Sequence, residues 1–354
     1  MTTLNLEQFC KKFESDLNNY LTENLVQLKE VWHADFIGST DNNSQGEAVN
    51  FDYLTDEILK YTIKSQTGGK RFRPYLVYLM AQPLSYEESL NYAIAVELLH
   101  SFALIHDDIM DRSELRRGQK SIFKFIEDKI DHQDKTHIAY SLAILVGDYI
   151  FSLAEGSFEN RNQKINNAHH FTARKLFQTL KSEVILGQML DIELGLKTNP
   201  PKNEILQKTY LKTANYSVSR PMQIGLSLHE IITDKPTDFQ FCLDFGYNLG
   251  LAFQIQDDYL NLINDETITG KQQFSDLYEA KHTLASWHLK QQNNLTDFKD
   301  LKADAIKKIL VSTGTLNYLK ENIEEYYSKS LMIAQSTNYK FLLPLIEFLK
   351  NRNK

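Results

Sequence analysis

Long stretches without helix-breaking residues are the feature that most constrains how this chain can fold. Neither glycine nor proline occurs between Pro83 and Gly118, and no proline occurs between Pro236 and Pro344. Within these stretches apolar residues recur at spacings of three and four, as on the buried face of an α-helix. The chain has only 14 glycines and 7 prolines in 354 residues, too few for the frequent turns of an all-β protein. The sequence therefore predicts an all-α protein, folded as a single large helical bundle.

No linker divides the chain. The polar segments between the predicted helices are neither long nor biased enough in composition to separate domains. A hydrophobic fraction of 42% is sufficient for a sizeable core and excludes a disordered chain. We therefore expect one domain over residues 1–354, with residues 1–50 forming a peripheral N-terminal helix and loop.

Charge and cysteine content exclude several classes of protein. The 39 basic and 46 acidic residues give a net charge of −7, which argues against nucleic-acid binding. Two cysteines, Cys10 and Cys242, are too few for a disulfide scaffold or a multi-cysteine metal site. The N-terminal residues do not resemble a signal peptide, and the most apolar region, 138–154, is interrupted by Asp148. These features predict a cytoplasmic protein that does not span a membrane.

The first chemically suggestive motif is Asp-Asp-Ile-Met-Asp at residues 107–111. At 100° per residue Asp107 and Asp111 share one helix face, and Asp108 lies beside them. The preceding segment is mostly apolar, so these carboxylates end a helix that is expected to be buried. Crowded like charges need a counter-cation, and hard oxygen ligands suit Mg²⁺. Taken alone, the motif is equally compatible with a solvated acidic helix end.

A second acidic pair repeats the arrangement. Asp257 and Asp258 follow another apolar helix, and Asn261 shares a face with Asp257. Two such clusters could face each other across a cavity and together hold several Mg²⁺ ions on one polyphosphate.

Basic residues accompany both acidic clusters. The segment GGKRFRP, residues 68–74, places three cations beside a diglycine and lacks the spacing of a phosphate-binding P-loop. Salt bridging would explain such residues, but a diphosphate site also needs direct hydrogen bonds from Arg and Lys. The other basic residues of interest are Arg112, Arg116, Arg117, Lys212, Lys271 and Lys281.

Five ordered segments resemble the trans-isoprenyl diphosphate synthase family, the polyprenyl synthetases. They are GGKRFRP (68–74), ELLHSFALIHDDIMDRSELRRGQ (97–119), KTANYS (212–217), GLAFQIQDDYLN (250–261) and GKQQFSDLYEAKHTL (270–284). The resemblance implies a helical bundle of the isoprenoid synthase type around a deep central cavity. It also implies a homodimer that condenses isopentenyl diphosphate head-to-tail with an allylic diphosphate and releases diphosphate.

The resemblance implies a role for each matching residue. Isopentenyl diphosphate would be bound by Lys70, Arg73, His100 and Arg117. Several Mg²⁺ ions would be held by Asp107, Asp108, Asp111, Asp257 and Asp258, with Arg116 on the allylic diphosphate. The leaving diphosphate would be contacted by Lys212, Lys271 and Lys281, while Thr213 and Gln254 would line the reaction centre. Asn261 departs from the family pattern, because many members carry a third aspartate there.

Two residues upstream of the first acidic motif bear on product length. Phe102 and Ala103 precede Asp107 by five and four residues, about 6–7.5 Å along a helix. In the resembling family these positions commonly form the floor of the tail pocket, and two aromatic residues there tend to stop at fifteen carbons. Because only Phe102 is aromatic here, we expect geranylgeranyl diphosphate, with farnesyl diphosphate as the alternative. Another helix, around residues 140–150, could instead form the floor.

Other functions leave more of the sequence unexplained. A di-iron bundle could use Glu30 with His33 and Glu97 with His100, but it would leave the basic motifs without a role. A phosphohydrolase built on the His106–Asp107 doublet ignores residues 212–284. A terpene cyclase usually carries a different second acidic motif, and a non-catalytic partner subunit typically loses acidic motifs that are present here.

Overall fold

The computed structural model of the protein describes residues 3–37, 53–229, 236–264, 273–293 and 297–352. The prediction of an all-α fold is confirmed. The described residues contain one small element of β structure, an antiparallel hairpin of β1 (Leu115–Arg116) and β2 (Gln119–Lys120). The sequence did not predict this hairpin, because two-residue strands leave no alternating pattern.

The chain packs into two compact units. Unit 1 comprises residues Met1–Tyr75 and Ile94–Asn160, and unit 2 comprises Leu76–Ala93 and Arg161–Lys354. The chain passes between them within α3 (Phe72–Met80) and α4 (Tyr86–Met110). The expectation of one domain over the whole chain stays a prediction.

Unit 1 is built on a long N-terminal helix. Its other helices, besides the parts of α3 and α4, are α1 (Leu6–Ile37), α2 (Tyr53–Ser65), α5 (Ile122–Glu127) and α6 (Lys135–Glu159). Along α1, Phe9, Phe13 and Leu17 recur every four residues and are buried. The hydroxyl of Tyr20 donates to the carbonyl of Leu153 on α6 at 2.8 Å. The predicted N-terminal helix therefore packs firmly on its unit, while the loop predicted after it lies outside the described residues.

Unit 2 contains the remaining helices. They are α7 (Asn167–Gly195), α8 (Lys202–Thr209), a π-helix (Tyr210–Ser219), α9 (Arg220–Ser227), α10 (Pro236–Ile263), α11 (Ser275–Tyr278), α12 (Leu284–Asn293), α13 (Ala303–Ser312), α14 (Thr315–Gln335), a 3₁₀ turn (Lys340–Leu342) and α15 (Leu343–Lys350). Leu251, Ile255 and Leu262 of α10 belong to the apolar core of this unit.

The π-helix is the most unusual backbone feature of unit 2. It interrupts a continuous helical stretch between α8 and α9, and such segments recur at functional sites. Gly187 of α7 and Gly250 of α10 lie directly against its backbone, where an added Cβ would collide with Lys212 and Ala214. The two glycines therefore allow neighbouring helices to approach the π-helix closely.

One described helix, α6, is long and apolar enough to cross a membrane by length and composition, although Asp148 interrupts its apolar run. A single such helix is weak evidence for a span, because the core helix of a soluble protein has the same properties.

Candidate active site

In unit 1 the diglycine segment is held by a buried arginine. Arg71 adopts a left-handed conformation with φ of 50°, and its guanidinium pairs with Glu97 of α4. Glu14 of α1 accepts from Arg71 Nε at 2.9 Å and from the backbone N–H of Gly68 at 2.7 Å. Two carboxylates from different helices therefore fix the segment that carries Lys70 and Arg73. Sequence reasoning missed Glu14, since no motif marks a distant carboxylate as a partner, and it assigned Arg71 no role of its own.

Two of the predicted isopentenyl diphosphate residues, Arg73 and Arg117, lie close enough to His100 to act on its charge. His100 is buried, and burial together with the charges of Arg73 and Arg117 holds the pKa of its imidazole well below the usual range. Burial also lowers the pKa of Arg117, with smaller contributions from the neighbouring arginines. An added Cβ on Gly69 would lie 3.2 Å from Arg117 Nη2, so this guanidinium lies against the diglycine. The cluster combines concentrated positive charge with a neutral imidazole, a suitable environment for a multivalent anion.

The first acidic motif lies at the end of α4, as predicted. The backbone N–H of Asp111 donates to the carbonyl of Asp107 at 2.8 Å, so these two residues are one helical turn apart. Asp108 is buried and accepts a hydrogen bond from Arg116 Nε at 2.9 Å. The hairpin returns Arg116 to the motif, where its Nη2 also lies 3.8 Å from Asp107 Oδ2. Arg116 therefore offsets part of the repulsion among the carboxylates.

The two predicted product-length residues lie just before this motif on α4. The ring of Phe102 packs against Phe151 of α6, with ring centroids 4.9 Å apart, and against His106 at 4.6 Å. Gly147 of α6 gives room for the His106 ring, because a Cβ there would collide with the imidazole. Sequence reasoning missed Phe151; it lies one residue beyond the range 140–150 proposed as an alternative floor.

In unit 2 the π-helix supplies Lys212 and Thr213. Lys212 Nζ donates to Asp191 Oδ2 at 2.6 Å, and Lys208 Nζ lies 3.0 Å from Asp191 Oδ1. Burial alone would raise the pKa of the Asp191 carboxyl, but the two ammonium groups hold it well below its usual range. Asp191 is therefore a carboxylate shared by two lysines, which sequence reasoning did not identify.

A chain of side-chain hydrogen bonds joins the π-helix to the second acidic motif. The hydroxyl of Thr213 donates to Gln254 Oε1 at 2.9 Å, and Gln254 Nε2 donates to Asp258 Oδ1 at 2.7 Å. Asp258 is buried, and burial, followed by the charge of Asp276, raises its pKa to about 7. The structure thus brings together three of the predicted residues, Thr213, Gln254 and Asp258.

Asp257 and Asn261 have different surroundings. Asp257 keeps 37% of its side chain exposed, and Arg352 Nη1 lies 2.7 Å from its Oδ1. Asn261 is buried; its side-chain amide N–H donates to Ser275 Oγ at 3.0 Å, and its backbone carbonyl accepts from the N–H of Phe274. Asn261 thereby fastens the start of α11 to α10.

Besides Lys212, two lysines were predicted to contact the leaving diphosphate, and the structure describes Lys281. Lys281 pairs with Glu279 at 2.9 Å and lines a cavity of about 190 Å³ within unit 2. Lys271 lies outside the described residues. Within the described ranges no three His, Cys, Asp or Glu side chains converge closely enough to form a preassembled metal site.

The comparisons with known proteins agree with the motifs. Residues 53–314 match the polyprenyl synthetase family. A short chain isoprenyl diphosphate synthase of Methanocaldococcus jannaschii is 32% identical over 263 residues, which cover 73% of this chain and 71% of the relative. A geranylgeranyl diphosphate synthase of Sulfolobus acidocaldarius is 30% identical, covering 81% of this chain and 88% of the relative.

A solved structure shares the fold. The geranylgeranyl pyrophosphate synthase of Corynebacterium glutamicum, complexed with isoprenyl diphosphate and magnesium, superposes with a TM-score of 0.81 at 24% identity, over 99% of both chains. Because the family match spans most of the sequence and the helical fold agrees, the chain belongs to the polyprenyl synthetase family and is a prenyltransferase.

Proposed function

We propose that this prenyltransferase condenses isopentenyl diphosphate with an allylic diphosphate and produces geranylgeranyl diphosphate. The observation that carries the proposal is the presence in unit 1 of two different cation groups. Arg116 is hydrogen-bonded to Asp108 of the first acidic motif, whereas the charges of Arg73 and Arg117 act on the buried His100 and, with burial, hold its pKa well below the usual range. Arg116, bonded to a carboxylate, suits a diphosphate that metal ions link to the acidic motif. Arg73 and Arg117 suit a diphosphate that is bound directly by hydrogen bonds. Two subsites match a reaction of two diphosphate substrates.

The donor sets fit Mg²⁺. Asp107, Asp111 and Asp257 offer hard carboxylate oxygens, and each is at least partly accessible. Asp108 and Asp258 are buried and bonded to Arg116 and Gln254, so we assign them a supporting role around the ions. When bound, Mg²⁺ would supply positive charge that stabilises the departing diphosphate.

The side chains of this protein would perform the other tasks. Lys212, oriented by Asp191, would donate to the leaving diphosphate as negative charge develops on it. The Thr213–Gln254 pair would present a fixed polar edge to the reacting carbons, since the hydrogen bond to Asp258 fixes the amide orientation. Apolar side chains such as Phe102 would keep water from the carbocation. Lys271 and Lys281 remain proposed contacts of the diphosphate.

The proposed product follows from the relatives and from α4. The Sulfolobus relative and a Geoglobus acetivorans protein, 28% identical over 303 residues, are named geranylgeranyl synthases. Farnesyl diphosphate is the alternative that these relatives favour less. The half-buried Ala103 leaves space beside Phe102 for a longer tail.

The direct test is product analysis of the purified protein. It should be incubated with Mg²⁺ and dimethylallyl or farnesyl diphosphate, with and without isopentenyl diphosphate, and the products separated by chromatography. Twenty-carbon diphosphate formed only with both substrates supports the proposal. Diphosphate release from the allylic substrate alone would indicate a cyclase, and inactivity of the metal-loaded protein would indicate a non-catalytic subunit.

Truncating the floor of the tail pocket should lengthen the product. Phe102→Ala should shift the distribution beyond twenty carbons, because in the proposed tail pocket the Phe102 ring, packed against Phe151, would form the floor. Ala103→Phe should shift it toward fifteen carbons by filling the remaining gap. Chain lengths can be measured after dephosphorylation, with the buried Phe158→Leu on α6 as a control that should not change them. If both α4 variants are active and make wild-type products, the floor lies elsewhere.

The two cation groups should select different substrates. Arg73→Ala should raise KM for isopentenyl diphosphate more than KM for the allylic substrate, since Arg73 belongs to the group around His100. Arg116→Ala should do the reverse, because Arg116 is bonded to the first acidic motif. Steady-state kinetics with each substrate varied in turn will decide. Equal effects of both variants on both constants would contradict the assignment.

A homodimer and a cytoplasmic location complete the proposal. The exposed apolar side chains of Ile185, Leu186, Met189 and Ile192 form a stripe along α7 and support self-association. Light scattering on the purified protein tests the oligomeric state.

A further inference from the structure

Arg352 is buried against the helix that carries the second acidic motif. It lies two residues beyond α15, and only 5% of its side chain is exposed. Its Nη2 donates to the carbonyl of Phe253 at 2.6 Å, and its Nε donates to Gln256 Oε1 at 3.2 Å. The guanidinium carbon lies 3.8 Å from the centre of the Phe253 ring, in a cation–π arrangement. These contacts place a permanent positive charge on the turn of α10 just before Asp257.

Gln256 holds the segment that carries this arginine. Its side-chain amide donates to the carbonyls of Lys350 and Arg352 at 2.9 and 3.4 Å, and its Oε1 accepts from the hydroxyl of Tyr327 at 2.6 Å. The backbone around Arg352 is thus bonded to α10 independently of the guanidinium. The position of the charge is therefore set by the fold and not by a mobile side chain.

The charge of Arg352 is directed at Asp257. Nη1 lies 2.7 Å from Asp257 Oδ1, yet within the described residues this nitrogen has no well-aligned hydrogen-bond acceptor. The contact is mainly electrostatic. Because 37% of the Asp257 side chain is exposed, the carboxylate contacts Arg352 while remaining accessible from solvent.

We propose that Arg352 is a positioning residue that acts as a built-in counter-cation for Asp257 and weakens its binding of a divalent cation. The inference rests on the proposed function, in which Asp257 holds Mg²⁺. A cation held by this carboxylate would be close to the guanidinium that already contacts it, and two nearby positive charges would repel. The metal-free carboxylate is stabilised, and the cation is bound less tightly than by an isolated aspartate.

Binding of Mn²⁺ alone, followed by its electron paramagnetic resonance signal, tests this without an activity measurement. Arg352→Met removes the charge and keeps an apolar stem, and it should tighten Mn²⁺ binding about tenfold. Arg352→Lys keeps the charge and should bind Mn²⁺ like the wild type. The matched control is Lys350→Met, which removes a charge two residues earlier from a surface pair with Glu324 and should have no effect.

A double-variant comparison isolates the Asp257 site from the first acidic motif. In an Asp257→Asn background, Arg352→Met should no longer change Mn²⁺ affinity. If Arg352 only fastens α15 to α10, Arg352→Met will lower the thermal midpoint without tightening Mn²⁺ binding, and the proposal is overturned. The proposal is also overturned if Arg352→Met binds Mn²⁺ no more tightly than the wild type does, or if neither protein binds Mn²⁺ detectably.

A substitute variant and a separate activity measurement distinguish misfolding, failure of this proposal and failure of the proposed function. Arg352→Gln replaces Arg352→Met if the latter does not fold, and the same tightening is expected. Failure of the proposed function would appear separately, as a wild-type protein that makes no prenyl product whatever its Mn²⁺ affinity.

Discussion

Asp107→Ala should reduce turnover by about 10²–10³-fold, a loss of roughly 3–4 kcal/mol of transition-state stabilisation. The substitution removes an accessible carboxylate of the first acidic motif, one of the proposed ligands of the cation that stabilises the leaving diphosphate. It also removes a neighbour of Arg116, whose Nη2 lies 3.8 Å from Asp107 Oδ2. The change should therefore appear in kcat as well as in KM for the allylic substrate. Asp111→Ala should behave similarly, because it offers the second accessible carboxylate.

A matched control separates this effect from a general loss of negative charge. Asp148 of α6 lies in the same unit, its side chain is 60% exposed, and it is placed near His106 at 3.7 Å. Asp148→Ala should leave turnover within about twofold, since exposed pairs contribute little. Steady-state kinetics over a range of Mg²⁺ concentrations would measure both variants. Near wild-type turnover of Asp107→Ala, or full activity of the wild type in excess chelator, would contradict the metal assignment.

Local pattern was sufficient to predict the helices and the acidic motifs. Residues 107–111 end α4 as the spacing indicated, because helical periodicity and a run of carboxylates are both local properties of the sequence. The π-helix at 210–219 was not predicted. Gly187 and Gly250 of two other helices lie directly against its backbone, and no property of residues 210–219 themselves reveals those neighbours.

The partners of the site residues were the least predictable part. Glu14 lies 57 residues before Arg71, yet it accepts hydrogen bonds from both Arg71 and the N–H of Gly68. Arg352 lies 95 residues after Asp257 in the sequence, yet its guanidinium contacts the Asp257 carboxylate. A buried charge must be neutralised, so a partner could be anticipated in principle. Which of the many acidic or basic residues provides it is decided by tertiary packing, on which the sequence pattern is silent.

Asp191 of α7 is expected to be the second most sensitive position. Its two oxygens are shared by Lys208 and Lys212, and 13% of its side chain is exposed. Asp191→Asn keeps the shape and removes the charge, so two partly buried ammonium groups lose their counter-ion. Breaking one side of a buried pair costs about 3–5 kcal/mol of folding free energy. We also expect kcat to fall at least tenfold, because Lys212 loses the bond that orients it.

The pH dependence of stability provides an independent check on Asp191. Its pKa in the folded protein is lower than the ordinary aspartate value, because Lys208 and Lys212 outweigh the effect of burial. A carboxylate with a lowered folded pKa stabilises the protein fully above the unfolded pKa of about 3.9, and this contribution is lost as the pH falls toward the folded value. The difference in the free energy of unfolding between wild type and Asp191→Asn should therefore be constant above about pH 5 and shrink below it.

Denaturant midpoints measured from pH 2 to 8 would reveal this contribution to stability, because most of its loss is expected below the unfolded pKa of about 3.9. Glu193→Gln provides the matched control, because this substitution removes an equal charge from an exposed position two residues away on the same helix. That variant should change the free energy of unfolding by no more than about 0.5 kcal/mol at any pH. An Asp191→Asn protein as stable as the control would show that Lys208 and Lys212 find other counter-ions. A stability loss without any fall in kcat would show that Asp191 supports the fold while Lys212 is oriented by other contacts, and the assignment of Asp191 to the positioning of Lys212 would then be wrong.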